Sequence, residues 1–126
     1  MDRKKKTILV VDDEEDIVEF LSEMLKRDDY EVISSTKGKE CIALAKNFHP
    51  DLIILDVMMP DMEGGQVAAC LSEEPTTSNI PILFLTGAIL TKQEEPQSRR
   101  IGKHLFMAKP TTEHELLEMV RRVLSC

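Results

Sequence analysis

Polar side chains that could bind a metal ion or a phosphoryl group follow four short apolar runs of this chain. They are Asp12 and Asp13, Asp56, Thr86, and Lys109. Three carboxylates held close together would repel one another, and a divalent cation would relieve that repulsion. Oxygen ligands without Cys or His favour a hard cation, Mg²⁺ or Mn²⁺. A nearby hydroxyl and ammonium group would complete a cradle for a phosphoryl group, and a carboxylate can itself be the nucleophile that forms an aspartyl phosphate.

Each of these positions, taken singly, also has an ordinary structural explanation. Asp12 or Asp13 could cap a following helix. Thr86 could cap a loop, and Lys109 could be a solvated turn residue. Asp56 is harder to explain in this way, because it ends an apolar run where a charge without a partner is costly. Their joint occurrence after apolar runs favours a single site.

The apolar runs themselves predict strands. The runs Ile8–Val11, Leu52–Leu55 and Ile82–Leu85 are short and continuous, which is typical of strands covered on both faces of a sheet. Glu31–Ser35 and His104–Ala108 are weaker and are typical of strands nearer an edge.

Helical spacing of apolar residues occurs between the strands. The predicted buried stripes are Ile17, Phe20, Leu21, Met24 and Leu25; Cys41, Leu44, Ala45 and Phe48; Val67, Ala68 and Leu71; and Leu116, Leu117, Val120 and Leu124. Thr112, with Glu115 three residues later, predicts a capping box at the start of the last helix. Leu90–Ile101 contains Pro96 and predicts a short, irregular or mobile helix.

Strand and helix therefore alternate five times, which predicts an α/β fold: a doubly wound (βα)5 sandwich of three layers around a parallel sheet. Such sheets bind ligands at the carboxyl ends of their strands, where the winding reverses. The polar residues named above are predicted to converge on that edge.

Length and composition limit the possible functions. The chain has 126 residues, the size of one domain, and a net charge of −7, which argues against nucleic-acid binding by this domain. The longest apolar run is far short of the roughly 18 residues that a membrane helix needs. Three cysteines without metal-ligand spacing indicate reduced thiols and a cytoplasmic protein.

Four segments together resemble the signature of CheY-like response-regulator receiver domains of two-component phosphorelay signalling. They are Asp12-Asp13, the run from Leu55 to Gly64, Thr86-Gly87 and Lys109-Pro110. The resemblance covers about Lys6 to Leu124. It implies a flavodoxin-like fold with a five-stranded parallel sheet in the order 2-1-3-4-5, and a single receiver domain over residues 1–126 with a basic lead-in at 1–6.

The resemblance also implies a role for each acidic residue. Asp56 would be the acceptor of a phosphoryl group from a sensor histidine kinase, a phosphotransfer protein or a small phosphodonor. Asp13 would bind Mg²⁺ (or Mn²⁺) directly, Asp12 would assist it, often through water, and the Met58 backbone carbonyl would be a further ligand.

By the same resemblance, the polar residues after the later strands form a switch. The Thr86 hydroxyl would turn toward the new phosphoryl group and Lys109 would clamp it. Phe106 would rotate as Thr86 moves, although an aromatic residue in an apolar strand is equally explained as core. Met58 and Ala88 stand where relatives often carry polar groups that tune dephosphorylation, which leaves the lifetime of the phosphorylated state open.

The resemblance implies a signalling domain that promotes only its own phosphorylation and dephosphorylation. Its partners would be the kinase and a downstream protein or a C-terminal output domain, with a homodimer possible on phosphorylation. One alternative is an interaction module that works without phosphate. A haloacid-dehalogenase-type phosphatase is a second alternative, but that mechanism needs an aspartate at the position of Met58.

Overall fold

The computed structural model describes residues 5–57, 59, 62, 64–86, 98–101, 104–108 and 112–125. In chain order the elements are β1 (Thr7–Val11), α1 (Glu15–Arg27), β2 (Glu31–Ser35), α2 (Gly38–Phe48), β3 (Leu52–Asp56), α3 (Gly64–Ser72), β4 (Ile82–Thr86), β5 (Ser98–Ile101), β6 (His104–Ala108) and α4 (Glu113–Leu124).

The strands form one sheet in the order β2-β1-β3-β4-β6-β5. Each neighbouring pair from β2 to β6 is parallel. If β6 is counted as the fifth parallel strand, this is the predicted order 2-1-3-4-5, and the predicted fold class is confirmed. The winding reverses between β1 and β3, so the carboxyl ends of these two strands lie where a ligand site is expected.

The sheet differs from the prediction at one edge. Ser98–Ile101 forms β5, which pairs antiparallel with β6, so the expected helix over Leu90–Ile101 is wrong for its last four residues. The earlier part of that segment, including Pro96, lies outside the described residues. The free edge of β6 offers unpaired N–H and C=O groups, and an extended segment can satisfy these whereas a helix cannot.

Alternate side chains of the buried strands face two separate cores, as the period of a strand requires. On one face, Ile8, Val10, Leu52 and Ile54 pack with residues of α1 and α4. On the other face, the intervening side chains, such as Leu9 and Ile53, pack with residues of α2 and α3. The molecule is therefore the predicted three-layer sandwich.

Two aromatic residues of the predicted stripes are not buried. Phe20 is 46% exposed and Phe48 is 55% exposed. In α1 the buried face is formed by Val18, Leu21, Met24 and Leu25. Phe20 lies about 100° around the helix from Leu21, at the edge of that face. Phe48 is the last residue of α2, where the covered part of the helix ends.

The last helix begins as predicted and is tied to the first. The Thr112 hydroxyl accepts a hydrogen bond from the Glu115 amide at 3.1 Å and the Glu115 carboxylate accepts one from the Thr112 amide, so the capping box is confirmed. Arg121 forms a bidentate salt bridge with Asp28 at the end of α1. Its Nε donates to Asp28 Oδ2 at 3.1 Å and its Nη2 donates to Asp28 Oδ1 at 3.0 Å. Within the described ranges, no helix has the length and apolar character needed to cross a membrane.

Candidate metal and phosphoryl site

Three carboxylates meet at the carboxyl edge of the sheet. Asp12 follows β1 and Asp56 is the last residue of β3, and these strands are adjacent with Val11 opposite Leu55. One carboxylate oxygen from each of Asp12, Asp13 and Asp56 lies within 4.8 Å of the other two. Asp12 and Asp56 are 1% and 4% exposed, whereas Asp13 is exposed. The cluster therefore has a buried floor and an open side.

Backbone hydrogen bonds hold Asp12 in place. Its N–H donates to the Ser35 carbonyl at 3.3 Å, and its Oδ1 accepts the Glu14 N–H at 3.0 Å. The N-cap of α1 is Glu14. The helix-cap explanation of Asp12 is therefore not what the structure shows, because its carboxylate closes the turn just before the helix instead.

The segment after Asp56 returns closely onto the strand. Val57 N–H donates to the Leu85 carbonyl at 3.1 Å, and the Gly64 N–H donates to the Val57 carbonyl at 2.8 Å. A Cβ atom on Gly64 would lie 2.8 Å from the Asp56 carbonyl oxygen and 2.9 Å from Val57 Cα. Only glycine allows α3 to begin this close to the strand that carries Asp56.

The donor atoms of this cluster fit a hard divalent cation. Six-coordinate Mg²⁺ binds oxygens at about 2.1 Å, so two oxygens on the same ion lie about 3–4 Å apart. Oxygens that already lie within 4.8 Å of one another reach that spacing by small side-chain movements. A cation here would also offset the mutual repulsion of three carboxylates, two of them buried.

Comparison with known proteins identifies the family. Residues 8–121 match the family model of the response regulator receiver domain. The chain belongs to this family. This match confirms the resemblance that the four sequence segments indicated. Receiver domains are signalling domains of two-component systems rather than classical enzymes.

Similar proteins include both long and short response regulators. The chain is 39% identical over 114 residues to the response regulator PleD of Caulobacter vibrioides, which covers 90% of this chain and 25% of PleD. It is 28% identical over 119 residues to the polar-differentiation response regulator DivK of Brucella ovis, covering 94% of this chain and 96% of DivK. The chain thus spans only a quarter of the length of PleD.

A solved structure with the same fold is the chemotaxis protein CheY4 of Vibrio cholerae. It superposes with a TM-score of 0.81 at 31% sequence identity, over 96% of this chain and 100% of that one. Receiver domains bind Mg²⁺ through acidic residues, and the acidic cluster of this receiver domain is Asp12, Asp13 and Asp56.

Of the four remaining predicted site residues, the structure describes two. Thr86 ends β4, beside β3 at the same sheet edge, and is paired with Ala108 of β6. Phe106 lies within β6, opposite Phe84. Met58 and Lys109 lie outside the described residues. The roles predicted for these four residues therefore stay predictions.

Sequence reasoning did not single out Ser35, Gly38 or Gly64, which lie around the cluster. Gly64 lies in the motif that carries Asp56, so the sequence shows a glycine at this position. It does not show that this glycine lets α3 begin close to the backbone of Asp56. Ser35 and Gly38 belong to a different strand and helix. Only the parallel pairing of β1 with β2 brings them to the site.

Proposed function

We propose that this receiver domain accepts a phosphoryl group on the Asp56 carboxylate, from the phosphohistidine of a sensor kinase or phosphotransfer protein or from a small acyl phosphate. The observation that carries the proposal is the position of Asp56: it ends a buried strand, and carboxylate oxygens of Asp12 and Asp13 lie within 4.8 Å of its own. The family to which the chain belongs supports the same reading.

The proposed reaction moves one phosphoryl group between two leaving groups. An Asp56 oxygen forms a bond to phosphorus as the bond from phosphorus to the donor breaks, and the donor keeps the electron pair. An acyl phosphate leaves as its carboxylate, and a phosphohistidine leaves as an imidazolate, which takes up a proton to give the neutral imidazole. Water later attacks the aspartyl phosphate, which releases inorganic phosphate and restores the carboxylate.

Charge is the main obstacle to this reaction, because a phosphoryl anion must approach three carboxylates. A bound Mg²⁺ or Mn²⁺ would supply the neutralising charge. We assign direct metal binding to Asp13, whose carboxylate is exposed, and to Asp56. A supporting role is assigned to Asp12, whose carboxylate already accepts the Glu14 amide. The Met58 carbonyl is the proposed third protein ligand.

The same proposal gives roles to the later strands. Thr86 would contact the phosphoryl group with its hydroxyl and Lys109 with its ammonium group. Phosphorylation adds about −1.5 to −2 charge and new acceptor oxygens, which would draw both residues toward Asp56. Movement of Thr86, with rotation of Phe106, would then change a partner-binding surface.

The partners follow from this chemistry. The donor partner is a sensor histidine kinase or a phosphotransfer protein, and the receiving partner is a downstream protein, an attached output domain or a second copy of this chain. Both long relatives such as PleD and short ones such as DivK accord with this set. No role in nucleic-acid binding is proposed for the receiver domain itself, because its net charge is −7.

Phosphorylation can be tested directly by intact-protein mass spectrometry. The chain is incubated with acetyl phosphate, with and without Mg²⁺, and compared with Asp56→Asn. We expect a gain of one phosphoryl group that requires the metal, is removed by hydroxylamine and is absent from the variant. An adduct that persists in Asp56→Asn would contradict the assignment of the acceptor.

The metal role has its own matched control. Asp13→Asn should raise the Mg²⁺ concentration needed for half-maximal phosphorylation, whereas Asp16→Asn, which removes an exposed acid at the start of α1, should leave it nearly unchanged. Absence of any adduct at saturating donor and metal would favour a phosphate-independent interaction module. Continuous turnover of general phosphate monoesters would favour a phosphatase.

A further inference from the structure

A single buried serine closes the turn between β2 and α2. Ser35, the last residue of β2, is 7% exposed. Its Oγ accepts a hydrogen bond from the Lys37 N–H at 3.0 Å and donates one to the Glu40 carboxylate at 2.5 Å. Lys37 is the N-cap of α2, but its side chain makes no capping hydrogen bond to the described part of the helix. Ser35 and Glu40 therefore take the place of a capping side chain at this turn.

The main chain of the same serine holds the acidic cluster. The Ser35 carbonyl accepts the Asp12 N–H at 3.3 Å. Because Val11 and Ser35 form the last paired register of β1 and β2, this bond extends the parallel pairing by one residue to Asp12. A change in the orientation of the Ser35 peptide would therefore move the backbone that carries the Asp12 carboxylate.

The helix that begins at this turn packs against the segment that follows Asp56. Gly38 is the first residue of α2, and a Cβ atom there would lie 3.2 Å from Met59 Cε and 3.2 Å from the Met62 carbonyl oxygen. Both methionines follow Asp56 in the chain, and Met59 is buried. The turn closed by Ser35 and the start of α2 thus contact the segment that bears Asp12 and the segment that follows Asp56.

We infer that Ser35, together with Glu40, is a positioning residue for the divalent-cation site. This rests on the proposed function, in which Asp13 and Asp56 bind the metal directly and Asp12 supports it. A hydroxyl bonded to a carboxylate at 2.5 Å is a strong, charge-assisted hydrogen bond, so it holds the turn more firmly than a neutral one. Groups that orient metal ligands affect metal affinity even though they do not touch the ion.

Removal of this hydroxyl should weaken cation binding. Ser35→Ala should weaken binding about tenfold, the low end of the range for groups that support metal ligands. Glu40→Gln keeps an acceptor oxygen but loses the negative charge. It should therefore also weaken cation binding, but by less than Ser35→Ala does. Ser34→Ala removes an exposed hydroxyl one residue earlier on the same strand and should leave cation binding unchanged. Ser35→Thr keeps a hydroxyl at position 35 and should bind the cation as the unmodified chain does.

Three measurements on the full chain test the inference. The affinity for Mn²⁺ is measured by electron paramagnetic resonance, and hydrogen exchange of the Asp12 amide is measured without metal. The Mg²⁺ concentration for half-maximal phosphorylation by acetyl phosphate is measured separately from the rate at saturating Mg²⁺. In Ser35→Ala we expect weaker Mn²⁺ binding, faster exchange at Asp12 and a higher Mg²⁺ requirement with a retained saturated rate.

The outcomes separate this inference from the proposed function. If Ser35→Ala binds Mn²⁺ as tightly as Ser34→Ala, or if its Asp12 amide is equally protected, the positioning role is overturned while phosphorylation of Asp56 stands. A loss in Ser35→Thr equal to that in Ser35→Ala would also overturn it. No Mn²⁺ binding by the unmodified chain would overturn both. Should Ser35→Ala fail to fold, the exposed Glu40→Gln decides the question.

Discussion

Replacement of Gly64 with alanine would press the start of α3 against the backbone that carries Asp56. The added Cβ would lie 2.8 Å from the Asp56 carbonyl oxygen, 2.9 Å from Val57 Cα and 3.2 Å from the Val57 carbonyl oxygen. The atoms it meets belong to the backbone, so no side-chain rotation can relieve the contact. For Gly65, one residue later in the same helix, no atom of the described residues beyond its chain neighbours and its own helix backbone lies within 4 Å of the position that an added Cβ would take. Gly65 therefore provides a matched control.

The size of the effect follows from these distances. Favourable contact between heavy atoms begins at about 3.5 Å, so helix and strand must separate by about half an ångström. Overpacking of this kind costs about 1–3 kcal/mol. Alanine in place of glycine in a helix is by itself favourable by about 0.5–1 kcal/mol, and both variants share that gain. The difference in unfolding free energy between the two variants therefore isolates the overpacking, about 1–3 kcal/mol.

Urea denaturation of the two variants, followed by circular dichroism, measures this difference. We expect Gly64→Ala to be the less stable and Gly65→Ala to equal or exceed the unmodified chain. Because the clash falls on the peptide of Asp56, Gly64→Ala should also slow phosphorylation by acetyl phosphate. Equal stability of the two variants would refute the reasoning, and so would a Gly64→Ala chain more stable than the unmodified one.

Three further substitutions test other parts of the structure. The buried Thr77 hydroxyl donates to the Leu71 carbonyl at 2.6 Å, and that carbonyl also accepts the Glu74 N–H. Thr77→Val should therefore lower stability by about 0.5–1.5 kcal/mol, whereas the exposed Thr76→Val should have little effect in the same denaturation assay. Thr112→Ala breaks the capping box and should cost about 1 kcal/mol, while Thr112→Ser should retain the stability. Burial raises the pKa of the Cys41 thiol from 9.0 to about 12, so the unfolded chain loses this proton first and stability should fall as pH rises between these values. At pH 10 the loss is on the order of 1 kcal/mol, and it should be missing from the pH dependence of Cys41→Ala. An identical pH dependence of stability in both chains would count against a buried thiol.

Much of the fold could be predicted because a strand that is buried on both faces consists of a continuous run of apolar residues, which is visible in the sequence. A continuous apolar run such as Leu52–Leu55 is stable only between two covering layers, and the helices between the runs supply those layers. Parallel strands align their carboxyl ends, so the convergence of Asp12 and Asp56 followed from the order of the elements. The capping box at Thr112 is a contact between residues three apart and was equally readable.

Other features depended on contacts that sequence spacing does not reveal. Phe20 has helical spacing with buried neighbours, yet the rotation of α1 against the sheet leaves it at the edge of the covered face. Ser98–Ile101 is a strand because the edge of β6 is available to it, and that edge exists only once the sheet has formed.

The sequence by itself determined the layers and the acidic cluster, since these follow from local periodicity and from the direction of parallel strands. The strand order was implied by the resemblance to receiver domains. The tertiary structure alone decided what supports the cluster. Ser35 reaches Asp12 through strand pairing, and Gly64 lies against Asp56 through the return of a loop. Such contacts join residues that are separated in the sequence. Their energies depend on interatomic distances to a few tenths of an ångström, which residue types and spacing do not specify.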